Sequence, residues 1–535
     1  MPTPRLACLS LSIALALAFT ACATGPAYQS PTAQAPDDWT TWRSGDESLR
    51  IPVETRQALP SAWWRAFNDP LLDQLQQRAI EASPDLRTAT LHFAQARVQR
   101  STTAAQRGPD VGVSGGVSRQ RQSEVGAGTR MLDALGGDRA RLADFLSEPF
   151  TLYQAGFDAS WELTRMLDAL GGDRARLADF LSEPFTLYQA GFDASWELDL
   201  WGRVRGSIEA ADADVQRQAA LLDLARLSLA SDVARHYIDL RTAQRQSQLA
   251  REDIAALQDR LGLLEARVKR GVMDHLDLER QRAELSAVEG QLPSLLAQES
   301  GSANQIALLL GERPGALRGL LAVPSADTAP ATPPDLALGL PSELALRRPD
   351  IRAAEAQLHR ATASIGVARA DLYPSIRLGA KFGHESYLRG EFSDWGSRTW
   401  SIGPSLNLPL FDHGRRKSVV QLRELEQQEA AVNYQRTVLQ AWQEIDDALN
   451  GYAAERQQAQ QMQARLDSTR KAYDLARARY DGGTVDFTVV LDGQRAYLQA
   501  RRDLVASQGR LGNRYVMVNR VIGNVPGPDA NGAKP

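Results

Sequence analysis

Side chains able to do chemistry are sparse in this 535-residue chain, and their spacing argues against catalysis. Six histidines, at 92, 236, 275, 359, 384 and 413, are scattered without metal-ligand spacing. Neither cysteine lies beyond residue 22, and no nucleophile elbow or phosphate loop is present. The chain therefore has no visible means of turning over a substrate or a nucleotide, and any driving energy must come from a partner. The spacing that does stand out belongs to glycine. Gly202-Arg203 is followed 69 residues later by Gly271, and Gly414-Arg415 is followed 69 residues later by Gly483. Glycine permits backbone angles that other residues resist, so these positions offer turns at matched places. Upstream, Pro84-Asp85-Leu86 lies 25 residues before Pro109, as Pro349-Asp350-Ile351 lies 25 residues before Pro374. The chain is two copies of one plan.

The elements that must position those turns are long. A helix of about 69 residues spans roughly 100 Å at 1.5 Å per residue, more than a compact globule needs. Ile254, Leu257, Leu261, Leu264 and Val268 form a heptad-like seam, as do Val438, Trp442, Ile445, Leu449 and Tyr452. Both seams are read as core rather than as ligand boxes. Shorter helical patterns run from Leu71 to Arg107 and from Glu343 to Leu372. Between short and long helices lie segments of period two. Ile376, Leu378, Ala380 and Phe382 alternate with polar or small residues, and so do Trp400, Ile402, Leu406 and Leu408. The first half repeats this with Val111, Val113 and Val117, then Tyr188, Ala190, Phe192, Ala194 and Trp196. Strands of about 9 to 11 residues with one apolar and one polar face are the pattern of a membrane barrel. A soluble sandwich is the alternative, but four strands are too little sheet to cover their own face. In hydrocarbon their open edges must close with copies from neighbours, and three copies give a barrel of about 12 strands. The expected fold is mainly α with a membrane β-barrel, trimeric, with four strands per subunit and long coiled-coil-like helices forming a tunnel.

Net charge is −4 and the pI is about 6.0, with no basic stripe that would mark a nucleic-acid surface. Beyond the N-terminal segment no apolar run is long enough for a membrane helix, so any crossing falls to strands. Residues 1–21 pair Arg5 with an apolar run from Leu6 to Phe19 and small residues before Cys22. This resembles a bacterial lipoprotein signal, which makes Cys22 the candidate for covalent lipid. A plain signal peptide with Cys22 incidental is the other reading. With Cys8 inside the signal, no disulfide is expected, and neither is any cofactor other than that lipid.

Residues 129–163 recur letter for letter as 164–198. Both copies cannot act as membrane strands, because a third strand would put the helix after Gly202 on the wrong side. Only the second copy continues into Asp199-Leu-Trp-Gly-Arg, so Tyr188 to Trp201 is the expected strand and the first copy is expected in an external loop.

These features together resemble the TolC-type outer-membrane efflux proteins, and specifically their lipoprotein branch, which serves tripartite multidrug pumps. The residues that carry the resemblance are Cys22 with Gly25-Pro26-Ala27-Tyr28, and Trp63-Trp64 with Asp69-Pro70. To these are added the stretch from Gly191 to Arg203, Leu340-Pro-Ser-Glu-Leu, Arg347-Arg348-Pro349-Asp350-Ile351 and the two tip motifs. The resemblance implies a homotrimer in the outer membrane, lipid-anchored, with a periplasmic helical tunnel whose far ends turn at Gly271 and Gly483. There a periplasmic adaptor docks, itself joined to an inner-membrane transporter of the resistance-nodulation-division class. It also implies that Asp492 is a constricting carboxylate facing the three-fold axis, and that Tyr480 and Asp277 tie the tip helices together. The bland readings are a solvated acid near a helix start for Asp492, a surface tyrosine and an ordinary helix acid. The expected division is a signal at 1–21, a leader at 22–70, a first repeat at 71–320 with its hairpin at 109–201, and a Pro-rich linker at 321–342. A second repeat at 343–523 with its hairpin at 374–411 and a disordered tail at 524–535 complete it. The function expected is a passive exit duct for small molecules. A protein-secretion duct shares the architecture, and a non-conducting coiled-coil scaffold explains the seams and Cys22 but not the strands.

Overall fold

The computed structural model describes residues 25–31, 44–50, 60–120, 185–271, 274–322, 347–386 and 388–527. Cys22, the signal, the first duplicated copy and nearly all of the linker lie outside them. The chain forms two compact units: a strand unit of Thr102–Arg205 with Val367–Lys417, and a helical unit of Gly25–Ser101, Gly206–Gly366 and Ser418–Pro535.

Helix lengths repeat between the two halves to the residue. Helices α3 (Arg203–Lys269) and α6 (Arg415–Asp481) each hold 67 residues, and α4 (His275–Leu309) and α7 (Phe487–Val521) each hold 35. At 1.5 Å per residue each 67-residue helix has a contour of about 100 Å. The breaks are set by glycines in the left-handed region, at φ 80° and 84° for Gly202 and Gly414, 69° and 70° for Gly271 and Gly483, and 69° and 71° for Gly311 and Gly523. These are three pairs at one offset. An L side chain at these angles is strained, so each glycine ends or admits a helix at a fixed place.

The first short helical pattern divides in two, α1 (Pro70–Ala82) and α2 (Pro84–Ala105), where the sequence gives one run from Leu71. Pro84 is the cause, because it disfavours helical angles at Ser83 and lacks the N–H that would continue the ladder. Asp69 caps α1 by accepting from Leu71 N at 2.9 Å, with Pro70 in the first turn. In the second half α5 (Pro349–Ala370) is a single helix.

One core joins both halves of the helical unit. Trp63, Trp64, Leu75, Leu240, Ile306, Ile445, Tyr452 and Val516 share a single buried cluster drawn from the leader and from α1, α3, α4, α6 and α7. The leader is thus more than an extended segment, since Trp63–Phe67 forms a helical turn and Trp63 and Trp64 are 1% and 2% exposed. At the other terminus Asn524, expected in the disordered tail, is buried and donates to Pro60 O at 3.2 Å. Further down the long helices Leu257 and Val288 form one cluster, and Leu264, Leu278, Phe487, Val490 and Leu491 form another.

In the strand unit, β1 (Asp110–Gln120), β2 (Phe185–Leu198), β3 (Ser375–Ser386) and β4 (Arg398–Asn407) form one antiparallel sheet in chain order. The second duplicated copy supplies β2, as expected, although the strand stops at Leu198. Asp199 then accepts from Val204 N and Arg205 N, both at 2.9 Å, and so starts α3. Asp412 does the same for α6 through Gly414 N and Arg416 N, at 3.1 and 3.3 Å.

Candidate functional site

Cross-strand register sorts the sheet into two faces. Val113 lies opposite Phe192, Phe192 opposite Phe382, and Phe382 opposite Trp400, while the next row runs Val111, Ala194, Ala380 and Ile402. Side chains of period two that are in register share a face. That face is 76% exposed at Val113, 57% at Phe192, 52% at Phe382 and 61% at Trp400. No protein layer among the described residues covers it. An exposed apolar face of this extent marks a surface that meets another protein or lipid. The opposite face carries Gly112, Asp193, Lys381 and Ser401 in one row and Glu197, Arg377 and Ser405 in another. Glu197 accepts two hydrogen bonds from Arg203, at 2.7 and 2.9 Å, and lies 3.6 Å from Arg377. A wall greasy outside and charged inside can line water. Outward of β1 and β4 no further strand is present among the described residues.

The second candidate region is the turn end of the long helices. Gly271 and Gly483 close the α3–α4 and α6–α7 connections, and each donates its N–H to the carbonyl three residues back, at 2.9 Å. Asp274 caps α4 through Leu276 N at 3.2 Å. Tyr480 packs on Phe487 with ring centroids 5.3 Å apart, and its hydroxyl accepts from Arg267 Nη1 at 3.3 Å. Asp277 pairs within its own helix with Arg280 at 3.4 Å, and Arg280 donates across to Thr488 Oγ1 at 2.9 Å. Asp492 is exposed on α7. The side chains that join one helical hairpin to the other are therefore arginines that the sequence reading did not single out: Arg260, Arg267, Arg280 and Arg495, the last on Glu284 at 2.6 Å. A signal existed, because Arg260 and Arg267 step by seven along α3 as Tyr473 and Tyr480 do along α6.

Farther from the tip, Asp253 is 3% exposed and lies 3.0 Å from Arg501 Nη1 and 3.7 Å from Arg502 Nη1. Burial pushes its carboxyl up to about 6 in spite of both guanidinium groups. A carboxyl whose pKa rises on folding favours the folded state fully below its ordinary value near 3.8, and loses that contribution as pH rises through 6. Asp253→Asn has no such titration. The melting temperature of the variant minus that of the parent should therefore increase from pH 4.5 to pH 7.5 in detergent; a difference independent of pH would refute this assignment.

Among the described residues no cluster of His, Cys, Asp and Glu could hold a metal ion, and no helix is long and apolar enough to cross a membrane. The profile of the outer membrane efflux protein family matches residues 75–312 and 340–524. The pyoverdine export outer membrane protein OpmQ of Pseudomonas putida is 30% identical over 508 residues, covering 94% of this chain and 93% of that protein. OprJ, an outer membrane protein of Pseudomonas aeruginosa, is 30% identical over 489 residues, covering 91% of this chain and 89% of its own. The solved structure of the outer-membrane channel OprN aligns with a TM-score of 0.74 at 27% identity, over 94% of this chain and 99% of that one. The CmeC outer membrane channel of Campylobacter jejuni aligns with a TM-score of 0.77 at 23% identity, over 95% and 97% of the two chains.

Proposed function

The chain belongs to the outer membrane efflux protein family, a family of TolC-type channels rather than catalysts, and from that premise we propose that three copies close their sheets into the exit duct of a tripartite pump. The observation that carries this reading is the four-stranded sheet, which among the described residues has one uncovered apolar face, one charged face and two edges without a further strand. In hydrocarbon such edges must be paired, and a cyclic trimer pairs β4 of each copy with β1 of the next. The duct is passive. Cys22 carries the lipid that anchors it, the turns at Gly271 and Gly483 receive a periplasmic adaptor, and an inner-membrane transporter of the resistance-nodulation-division class supplies the energy. Small molecules are the cargo, in keeping with relatives named for pyoverdine export and cation efflux.

Purified protein is expected to be a trimer by native mass spectrometry and to conduct in planar bilayers. A non-conducting monomer with no sheet signal in circular dichroism would end the proposal, and a stable non-conducting trimer would favour the scaffold. Within the duct, Asp492 from each copy forms an anionic ring at the constriction. Three carboxylates close together repel one another and attract cations. Asp492→Ala should reduce cation preference in reversal-potential measurements and raise single-channel conductance about twofold or more. Unchanged selectivity and conductance would return Asp492 to the status of a solvated acid.

A further inference from the structure

Where the strands hand over to the helices, the charged face of the sheet ends in a hollow of about 230 Å³. Its floor takes Glu197 and Arg377 from one row of that face, and Ser375 and Asn407 from the next. One side is a flat aromatic pair. Trp201 stacks on Tyr373 with ring centroids 4.8 Å apart, and its Nε1 donates to Pro374 O at 2.7 Å. The nearby helix starts are already satisfied, since Asp199 takes the N–H groups of Val204 and Arg205, and Asp412 takes those of Gly414 and Arg416. A ligand in the hollow must therefore be held by side chains.

Three arginines line it, Arg203, Arg377 and Arg416, against three acids, Glu197, Asp199 and Asp371. Their commitments differ. Arg203 is spent on Glu197 through two hydrogen bonds, at 2.7 and 2.9 Å. Arg377 is not, because its one ion-pair partner among the described residues is that same Glu197, at 3.6 Å, beyond hydrogen-bond reach, and its side chain is 64% exposed. Arg416 gives Nη1 to Asp371 O at 2.5 Å and lies 3.5 Å from Asp412, while its Nε is buried without a hydrogen bond. A donor left unmade inside a protein is costly unless something arrives to accept from it. Two guanidinium groups with donors to spare thus line one cavity.

We propose that this hollow is a weak binding site for a small organic carboxylate, a class of cargo that pauses there in transit. This rests on the duct reading given above, in which the charged face lines water. A guanidinium fork meets a carboxylate through two parallel hydrogen bonds, which Arg377 and Arg416 can supply. The lining charges sum to zero, so one negative charge is accommodated more readily than two, and a carboxylate fits better than a phosphate dianion. The stacked rings of Trp201 and Tyr373 give the body of the ligand an apolar wall. Drug-sized ligands occupy about 300–1,000 Å³, so the guest here is smaller. A solute on its way through must also leave, which keeps the affinity low.

Benzoate and its neutral analogue benzamide probe the site by saturation-transfer NMR on the purified protein in detergent. Benzoate should titrate with a Kd of about 1–10 mM, and benzamide, which has the ring without the charge, should not saturate. Arg377→Gln should weaken benzoate about tenfold or more. Arg377→Lys keeps the charge but loses the fork, should weaken it about threefold, and serves should Arg377→Gln fail to assemble. In planar bilayers under a sodium benzoate gradient, the benzoate-to-chloride permeability ratio should fall about twofold or more for Arg377→Gln. Benzoate and benzamide binding alike, or benzoate binding parent and Arg377→Gln alike, would overturn the site. An unchanged permeability ratio would overturn its place on the path of the cargo. A conducting parent that fails these tests defeats this inference alone, whereas a parent that binds benzoate through Arg377 yet forms no channel defeats the duct reading alone.

Discussion

Gly383→Val should abolish barrel assembly. Gly383 faces Gly191 across the β2–β3 pairing, on the charged side of the sheet. A Cβ at Gly383 would sit 2.6 Å from Ala190 O and 2.9 Å from Gly191 Cα. Both are backbone atoms, so no rotamer change relieves the contact and the strands must separate. Overpacking of this kind costs about 1–3 kcal/mol, and here it falls on the pairing that joins the two repeats. Gly403→Val is the control, because its Cβ would meet nothing within 4 Å. Heat-resistant trimer on SDS gels should disappear for Gly383→Val and persist for Gly403→Val. Equal yields for the two would show that β2 and β3 are not packed this closely.

Arg348→Met should destabilise the helical unit. The Arg348 guanidinium is 6% exposed and donates to Asp350 at 2.6 and 3.0 Å, to Glu444 Oε2 at 2.7 Å and to Val521 O at 2.8 Å. One side chain thus ties the start of α5 to the middle of α6 and the end of α7. Methionine fills much of the volume but leaves two carboxylates facing each other and a carbonyl without its donor. The carboxylates are 30% and 35% exposed, so the cost falls between that of a surface ion pair and that of a fully buried one, about 1–3 kcal/mol. Thermal loss of the helical circular dichroism signal should move down by several degrees, and Glu444→Gln in the Arg348→Met background should recover part of the loss. Unchanged melting would mean that water already satisfies these groups.

Much of the architecture was legible because period and offset survive divergence. Alternation from Ile376 to Phe382 marks a strand and its apolar face, and the matched glycines mark the helix ends. Local chemistry could also be read where it is short-range, as in Asp69-Pro70 starting a helix. What escaped was the joining of helices far apart in sequence. Arg260 and Tyr473 are 213 positions apart, and the sequence gives no reason to set them together until the helices are aligned. For the same reason the sequence does not show that Asp277 pairs with Arg280, which in turn donates to Thr488 of the other hairpin. The break at Pro84 was missed by reading apolar period across a residue that cannot carry the helical hydrogen bond. Burial of the leader is not legible because Trp63-Trp64, taken alone, could be surface aromatics; the cluster that holds them is assembled from six helices.

The uncovered margins of β1 and β4 bear on inheritance as well as on closure. A copy whose β4 margin was blunted could still offer its β1 side to a sound neighbour and so enter a ring that never seals. Co-expressed with the parent at equal dose, it would spoil every assembly it joined. Such an allele should behave as dominant, lowering the yield of heat-resistant oligomer in cells that still carry an intact gene.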